Sequence, residues 1–451
     1  MSKISSIALQ FRYFIIKYTY IMDKYIIKGG VRLNGEVNIS GAKNATLGIL
    51  AASILCDEDV TIDNVPDISD VNCMLKAIKS LGAKVEKISS NTYTINGKNI
   101  NKTELSDPDL KNIRATYYFV GALLAKFRHA KVVAPGGCNI GLRPIDLHLK
   151  GFETIGAKAI IEDGYIVAKA EAIVGDNIYF DTVSVGATIN VMLASVFCMG
   201  TTTMRNVSKE PHVVDVANFL NAMGANIRGA GTDTIKIKGV SKLHSTNYTI
   251  IPDQIEAGTY MILAAITKGD ITVKNVIPKH LESISAKLMD IGNNVMTYDE
   301  AVRVIGNDIQ IHTSIKTLPY PGFPTDLQPQ IACLLSTAEG QSKITETIFE
   351  NRFRYVSEVI KMGAKITIND NELYIEGVKQ LSGKNLVAPD LRAGAALVTA
   401  ALAANGFSTI DNIEYIERGY ENFISKLQDL GAIINKITEY DDIEKFIKEN
   451  N

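Results

Sequence analysis

Apolar residues cluster at helical spacing in six stretches, and each stretch turns into a short strand: "TLGILAASILCDEDVTIDNV", "FVGALLAKFRHAKVVAP", "INVMLASVFCMGTTTMRNV", "YMILAAITKGDITVKNV", "IACLLSTAEGQSKITETIF" and "ALVTAALAANGFSTIDNI". A second, more amphipathic helix follows each one and ends in Gly-Ala or a close variant before another strand: "SLGAKVEKI", "TIGAKAIIE", "AMGANIRG", "DIGNNVMTY", "KMGAKITI" and "DLGAIINKI". The unit therefore reads helix, turn, strand, helix, glycine, strand.

Gly82, Gly156, Gly224, Gly292, Gly363 and Gly431 end the second helices, and subtraction spaces them 74, 68, 68, 71 and 68 residues apart. Glycine in that place suits a helix C-cap that needs positive φ. Units of this size are too long for a solenoid, whose repeats run to roughly 50 residues. Three are expected around each of two cores, with a boundary near Ile251.

One unit departs from the spacing. From the end of the central strand to the capping glycine is 17 residues (Val65 to Gly82), 17 (Val207 to Gly224), 16 (Val276 to Gly292), 14 (Phe349 to Gly363) and 18 (Ile413 to Gly431), but 22 from Ala134 to Gly156. The extra length falls in "PGGCNIGLRP", which carries Cys138 and Arg143 among glycines. A loop lengthened in a single repeat and bearing a thiol and a guanidinium reads as functional rather than scaffold, although a tolerated insertion with an incidental cysteine has the same local sequence.

Composition narrows the partners. The 451 residues are 46% hydrophobic with a formal net charge of -2, so there is no bulk electrostatic reason to expect a nucleic-acid partner. The five cysteines, Cys56, Cys73, Cys138, Cys198 and Cys333, are widely spaced with no CxxC pair, which suits a reducing compartment and argues against a zinc site. Cys198 and Cys333 lie in apolar helical stretches and read as core residues. No metal and no organic cofactor are expected. No apolar run reaches the roughly 18 residues that span a bilayer, so a membrane role is not expected and the chain is placed in the cytoplasm. Residues 1–22 lack the form of a signal peptide and read as an extension without a packed place.

Several polar residues stand at helix starts where they invite an anion. Lys43 and Asn44 in "GAKNAT" meet a helix N-terminus, where backbone N–H groups and the dipole favour negative charge; a solvated lysine beside an asparagine cap fits equally. Arg114 in "NIRATYYFVGAL" is a cation at a helix start, unfavourable without an anion beside it. Asp326 in "FPTDLQPQ" is either a functional carboxylate or a plain N-cap. Arg352 and Arg354 in "FENRFRYV", Asp390 and Arg392 in "APDLRAGAAL", and Arg418 in "IERGYENF" are each, taken singly, surface charges. Arg352 and Arg418 occupy the strand-to-helix corners that Cys138 and Arg143 occupy in the second unit. Repeat-equivalent corners facing one cleft would build a guanidinium-rich site for a polyanion.

In combination these motifs, "GAKNA", "RA" at 114, "PGGCNIGLRPIDLH", "SVGAT", "EP" at 210, "FPTDLQ", "ENRF", "DLRA" and "ERGYE", resemble the UDP-N-acetylglucosamine 1-carboxyvinyltransferase family of enolpyruvyl transferases, from about Met22 to "LGAIINKI". The resemblance implies an α/β fold of two inside-out barrels, each of three repeats, with the active site in the cleft between them. One domain would span 44–251 and the other 23–43 plus 252–451. It implies transfer of the enolpyruvyl group of phosphoenolpyruvate to the 3'-hydroxyl of UDP-N-acetylglucosamine, the first committed step of peptidoglycan precursor synthesis, without metal or cofactor. Cys138 matches the family's proton donor, which is also the target of the covalent inhibitor fosfomycin, and Asp326 matches the group that takes the hydroxyl proton. Lys43, Asn44, Arg114, Arg143, Arg352, Arg392 and Arg418 match its anion-binding and conformational residues, with Lys43 and Arg418 counted among the catalytic set. Arg143, Pro144, Ile145, Asp146 and Leu147, then Ser184, Val185 and Gly186, and Ile348 match positions around the uridine nucleotide. Thr182 stands where many members have lysine and His212 where some have glutamate, which implies altered nucleotide contacts. The tail "TEYDDIEKFIKENN" lies outside the pattern.

Such chemistry needs an acid beside the alkene, a base for the hydroxyl and cations around a departing phosphate. A 3-phosphoshikimate enolpyruvyl transferase shares the architecture and phosphoenolpyruvate, but lacks the PGGC loop and "RPID". An idle paralogue that only binds UDP-sugar would not need every matched catalytic position, and all are present.

Overall fold

The computed structural model describes residues 23–136 and 145–450. In it the sheet of each unit is two strands richer than its apolar pattern predicts, by an edge strand and by a strand that runs antiparallel to the last one. The second unit shows the order: Glu104–Leu105, helix Tyr118–Phe127, His129–Val133, helix Asp146–Thr154, then the hairpin Lys158–Glu162 and Tyr165–Lys169. Its sheet pairs the edge strand parallel to the central one, which then runs antiparallel to the hairpin. Six four-stranded sheets repeat that arrangement. The capping glycines all have φ between 93 and 105°, as a left-handed C-cap requires.

Chain order explains how the units group. Thr246–Thr249 returns to lie parallel to Val60–Asp63, so residues 60–249 complete three sheets among themselves. Of the other three, two borrow from the N-terminal side: Lys24–Lys28 pairs with Phe407–Asp411 and Ile433–Ile437, and Asn34–Asn38 runs parallel to Asp270–Lys274, whereas the third is built within residues 314–376. Two apolar cores result. One is built from Ala42 to Ile250, the other from Tyr25 to Ile39 together with Ile255 to Ile434. The fold is thus a two-domain α/β architecture.

The first helix of each unit is apolar on nearly every side and is buried almost throughout: Lys43–Ser53, Tyr118–Phe127 and Val185–Ser195 in one core, Gln254–Ile266, Gln328–Leu335 and Leu391–Ala403 in the other. A helix without a polar face has to sit inside, so the sheets wrap around the helices.

Two chain segments join the halves side by side, with Ala42 N–H donating to the Ile251 carbonyl (2.8 Å) and Asp253 N–H to that of Ser40 (2.9 Å). Gly41 lies between them so close to Asn64 that a Cβ would fall 1.7 Å from its carbonyl oxygen. Cys333 is buried in its helix as expected, whereas Cys198 falls in the turn after Ser195, where the helix has already ended; it is buried all the same. The tail forms a helix, Tyr440–Asn450, whose Phe446 packs on Ile26 and Ile437. No helix among the described residues is long and apolar enough to cross a membrane.

Candidate active site

Corners between a central strand and the second helix are not alike. In four units an asparagine in the left-handed region follows the strand, Asn64, Asn206, Asn275 and Asn412, at φ 55 to 60°. Its amide donates to the carbonyl that ends the edge strand, at Ile250, Phe180, Ile39 and Ala388. The second and fifth units place Ala134 and Glu346 there instead. Buried Glu346 accepts from the Thr317 hydroxyl (2.9 Å), the Thr325 hydroxyl (3.0 Å) and the N–H groups of Ile348 (2.7 Å) and Phe349 (3.2 Å). It thereby fixes the residue next to Asp326.

Asp326 sits between two buried guanidinium groups. Arg352 Nη2 donates to its Oδ1 and Arg392 Nε to its Oδ2, both at 3.1 Å. Arg352 also donates to the Thr325 carbonyl, from Nε at 3.2 Å and Nη2 at 3.1 Å. Asp326 caps no helix: the turn Thr325–Leu327 and the helix Gln328–Leu335 have no side-chain cap bond. The plain-cap alternative therefore falls. Arg392 lies 5.5 Å above the Tyr420 ring, whose hydroxyl meets that of Thr259 at 3.0 Å and accepts from Gln330 at 3.3 Å. Asp390, by contrast, is an ordinary cap, accepting from the N–H groups of Arg392 and Ala393, and Arg354 is exposed.

A second carboxylate joins the two halves. Lys43 opens its helix with its N–H donated to Asp253 (2.9 Å) and its Nζ to Asp70 Oδ2 (2.7 Å). Arg418, from the other core, donates Nε to Asp70 Oδ1 at 2.8 Å. Burial pushes the Lys43 ammonium below its ordinary pKa; Asp70 opposes this, and the charges of Arg392 and Arg418 add to it. Burial would raise the Asp70 carboxyl, but Lys43 and Arg418 outweigh it and hold the group below the usual carboxylate range. Glu210 Oε1 accepts from Tyr320 N–H across the same boundary (2.9 Å). Burial lifts its carboxyl above the ordinary value, the Tyr320 N–H offsets part of that, and the Asp326 charge adds to it. His212, pushed down to about 4 by burial, also feels Asp253 and Asp326.

Asp70→Asn should lower stability by about 3 kcal/mol, because it leaves a buried lysine facing an arginine; the usual 3 to 5 for a broken buried pair is reduced here since Arg418 is partly exposed. A folded pKa below the unfolded one means the wild-type contribution is complete above the unfolded value and fades as pH falls through the folded one. Urea denaturation at pH 7 and pH 3 reads both. Equal midpoints for the two proteins at pH 7 would show the pairing to be idle.

A third cluster surrounds the start of the helix Val185–Ser195. The Ser184 hydroxyl accepts from Ala187 N–H at 3.2 Å. Behind Gly186 lie Tyr117 and buried His148. Arg114 opens the 3-10 turn Arg114–Tyr117, and its charge reaches His148. Asp146 opens the helix that carries Leu147 and His148, and Ile145 and Leu147 pack against the first core. Ile348 is half-buried on the Glu346 corner, and Thr182 is exposed.

The structure so gathers Lys43, Arg392 and Arg418 by their mutual fields, with Asp326 held by Arg352 and Arg392; Asn44 follows Lys43 on its helix. Cys138, Arg143 and Pro144 lie outside the described residues. Asp70, Asp253, Glu346 and His148 were not singled out from sequence. Glu346 had a signal, since it replaces an asparagine that four other units carry; Asp70 and Asp253 had none.

A family model described as EPSP synthase (3-phosphoshikimate 1-carboxyvinyltransferase) matches residues 27–427. UDP-N-acetylglucosamine 1-carboxyvinyltransferase 3 of Caldanaerobacter subterraneus subsp. tengcongensis is 55% identical over 418 residues, which cover 93% of this chain and 100% of that one. The chain belongs to the UDP-N-acetylglucosamine 1-carboxyvinyltransferase family of enolpyruvyl transferases. A second member, UDP-N-acetylglucosamine 1-carboxyvinyltransferase 2 of Clostridium acetobutylicum, is 53% identical over 92% of this chain and 99% of its own. Among solved enolpyruvyl transferases, NikO from Streptomyces tendae superposes with a TM-score of 0.84 at 26% identity, covering 93% of this chain and 99% of that one. EPSP synthase from Acinetobacter baumannii reaches 0.71 at 18% identity, over 92% of this chain and 100% of its own, a likeness of fold alone.

Proposed function

We propose that this chain transfers the enolpyruvyl group of phosphoenolpyruvate to the 3'-hydroxyl of UDP-N-acetylglucosamine and releases inorganic phosphate. The observation that carries the reading is Asp326, a carboxylate held on both oxygens by buried arginines in a chain whose relatives bear that activity in their names. Held so, the carboxylate has a set direction and retains lone pairs for an incoming O–H.

The addition step asks for two proton transfers. As the sugar oxygen bonds to C2 of phosphoenolpyruvate, Asp326 takes its proton and Cys138 supplies one to the methylene carbon. In the elimination the Cys138 thiolate left by the addition takes a proton back from that carbon, the C–H pair restores the alkene, and the C2–O bond breaks with its electron pair leaving on inorganic phosphate. Lys43, Arg143, Arg392 and Arg418 hold the carboxylate and phosphate, and Arg352 orients Asp326. Asn44, Arg114, Arg143, Pro144, Ile145, Asp146, Leu147, Ser184, Val185, Gly186 and Ile348 form the nucleotide-sugar side. The residue-by-residue match of the motifs supports these roles, as does the convergence of Lys43, Arg392 and Arg418. The two separate cores support domains of 44–251 and 23–43 plus 252–451.

The same reading makes fosfomycin a covalent inhibitor at Cys138 and places the step in cytoplasmic peptidoglycan precursor synthesis. The test is phosphate release with phosphoenolpyruvate and UDP-N-acetylglucosamine, using shikimate 3-phosphate as control acceptor. Release with the UDP-sugar alone is expected; equal release with both acceptors would overturn the assignment.

A further inference from the structure

Asn190 lies across the first turn of the helix Tyr118–Phe127. Its Oδ1 accepts from Gly121 N–H (2.8 Å) and its Nδ2 donates to the Tyr117 carbonyl (2.9 Å). Turning the amide over would set oxygen against oxygen and nitrogen against N–H, so its orientation is fixed. The second Nδ2 hydrogen then points at His148 Nδ1, 3.0 Å away. A ring nitrogen that accepts carries no proton, so the proton of the neutral imidazole is on Nε2. Burial, with the Arg114 charge adding to it, pushes the His148 pKa down to about 3, which keeps the ring neutral at physiological pH.

His148 is buried, at 5% relative exposure, and its Nε2–H has no hydrogen-bond partner among the described residues. It faces the helix start at Gly186. A Cβ there would lie 3.0 Å from Nε2 and 2.6 Å from Tyr117 Oη, so only glycine lets the two polar atoms reach the mouth of this helix. The helix Val185–Ser195 begins with Ala187 N–H and Thr188 N–H both taken by Ser184. The N–H groups of Val185 and Gly186 make no bond among the described residues, and they point where the helix dipole favours negative charge.

We propose that His148 is a specificity-determining donor for the nucleotide, its Nε2–H joining the N–H groups of Val185 and Gly186 on an oxygen of the UDP-sugar diphosphate, with Asn190 as the positioning residue that fixes its tautomer. This rests on the reading that residues 184–186 face the nucleotide. A neutral donor suits the place because it adds a directed hydrogen bond to a charged oxygen without another buried cation beside Arg114. Hydrogen bonds to charged groups contribute roughly 1.5 to 3 kcal/mol, which is about a 10- to 150-fold change in affinity.

Nitrogen-15 NMR of the ligand-free protein, with His148 assigned by its loss in His148→Gln, should show the ring as the Nε2–H tautomer. Calorimetric titration with UDP-N-acetylglucosamine should give His148→Phe a Kd at least 10-fold weaker, with the KM for phosphoenolpyruvate within about two-fold. His148→Gln, whose amide reaches the Nε2 position, should recover most of that loss. Asn190→Asp can only accept, so it should turn the ring to the Nδ1–H tautomer and weaken UDP-sugar binding as His148→Phe does. A wild-type Nδ1–H ring, or His148→Phe binding as tightly as wild type, would overturn the proposal. So would equal losses in the Phe and Gln variants, which would mark a packing role. Wild-type protein that shows the Nε2–H ring but binds no UDP-sugar would instead sink the nucleotide reading of residues 184–186, and the ligand of His148 with it.

Discussion

Asp326→Asn should lower turnover by about 100-fold or more while UDP-N-acetylglucosamine binds within a few-fold of wild type. The amide keeps the outline of the carboxylate but cannot take the hydroxyl proton. Its cost does not end there. Both carboxylate oxygens now accept from arginines at 3.1 Å, so the amide nitrogen must turn towards either Arg352 Nη2 or Arg392 Nε and lose that bond. Arg392 is buried and stacked on Tyr420, so the freed charge stays in place rather than swinging away. A guanidinium relieved of its carboxylate favours an anionic ligand, so the KM for phosphoenolpyruvate should stay level or fall. Steady-state kinetics at saturating UDP-sugar separate the two effects. Turnover within a few-fold of wild type would place the base elsewhere. A large rise in both KM values, with turnover preserved, would make Asp326 a binding group only.

What the sequence made legible follows from how local each requirement is. The six capping glycines could be read because a left-handed C-cap is decided by one residue, and all six have positive φ. The added edge strands could not: Glu104–Leu105 is two residues long, too short for any alternation, and it exists because a neighbouring strand offers its edge. Asp326, Arg352, Arg392, Arg418 and Lys43 stood out as charges at helix starts and corners, where solvent-exposed alternatives were equally good locally. Their pairing was not legible. Asp70 looks like any acidic residue in a first helical turn, and only the approach of Arg418 from 348 positions away makes it a bridge. His148 was hidden for a related reason, since its tautomer is set by Asn190 on another helix. Glu346 was the exception, a break in a repeated asparagine that periodicity alone could have marked.

Fosfomycin should alkylate Cys138 in the wild-type protein, and faster when UDP-N-acetylglucosamine is present. The thiolate is the nucleophile: its sulfur attacks an epoxide carbon, the C–O bond opens, and the oxygen takes a proton, leaving a thioether. Two features of the sequence favour this thiol over the other four. Arg143 stands five positions away in the same loop, and a nearby cation stabilises the thiolate. A phosphonate on the epoxide also needs cations to anchor it, which the convergence of Lys43, Arg392 and Arg418 supplies. Three of the four competing thiols are poorly placed, since Cys56, Cys198 and Cys333 are buried and burial pushes those of Cys56 and Cys333 up. Three proteins then separate acid from nucleophile. Cys138→Asp should keep measurable turnover, because a carboxylic acid can donate the methylene proton, yet resist the epoxide. Cys138→Ala has neither proton nor sulfur and should lose both turnover and labelling. Peptide mass spectrometry beside the phosphate-release assay reads all three. Labelling at Cys56, Cys73, Cys198 or Cys333 in place of Cys138, or full activity in the Ala variant, would remove Cys138 from the role of acid.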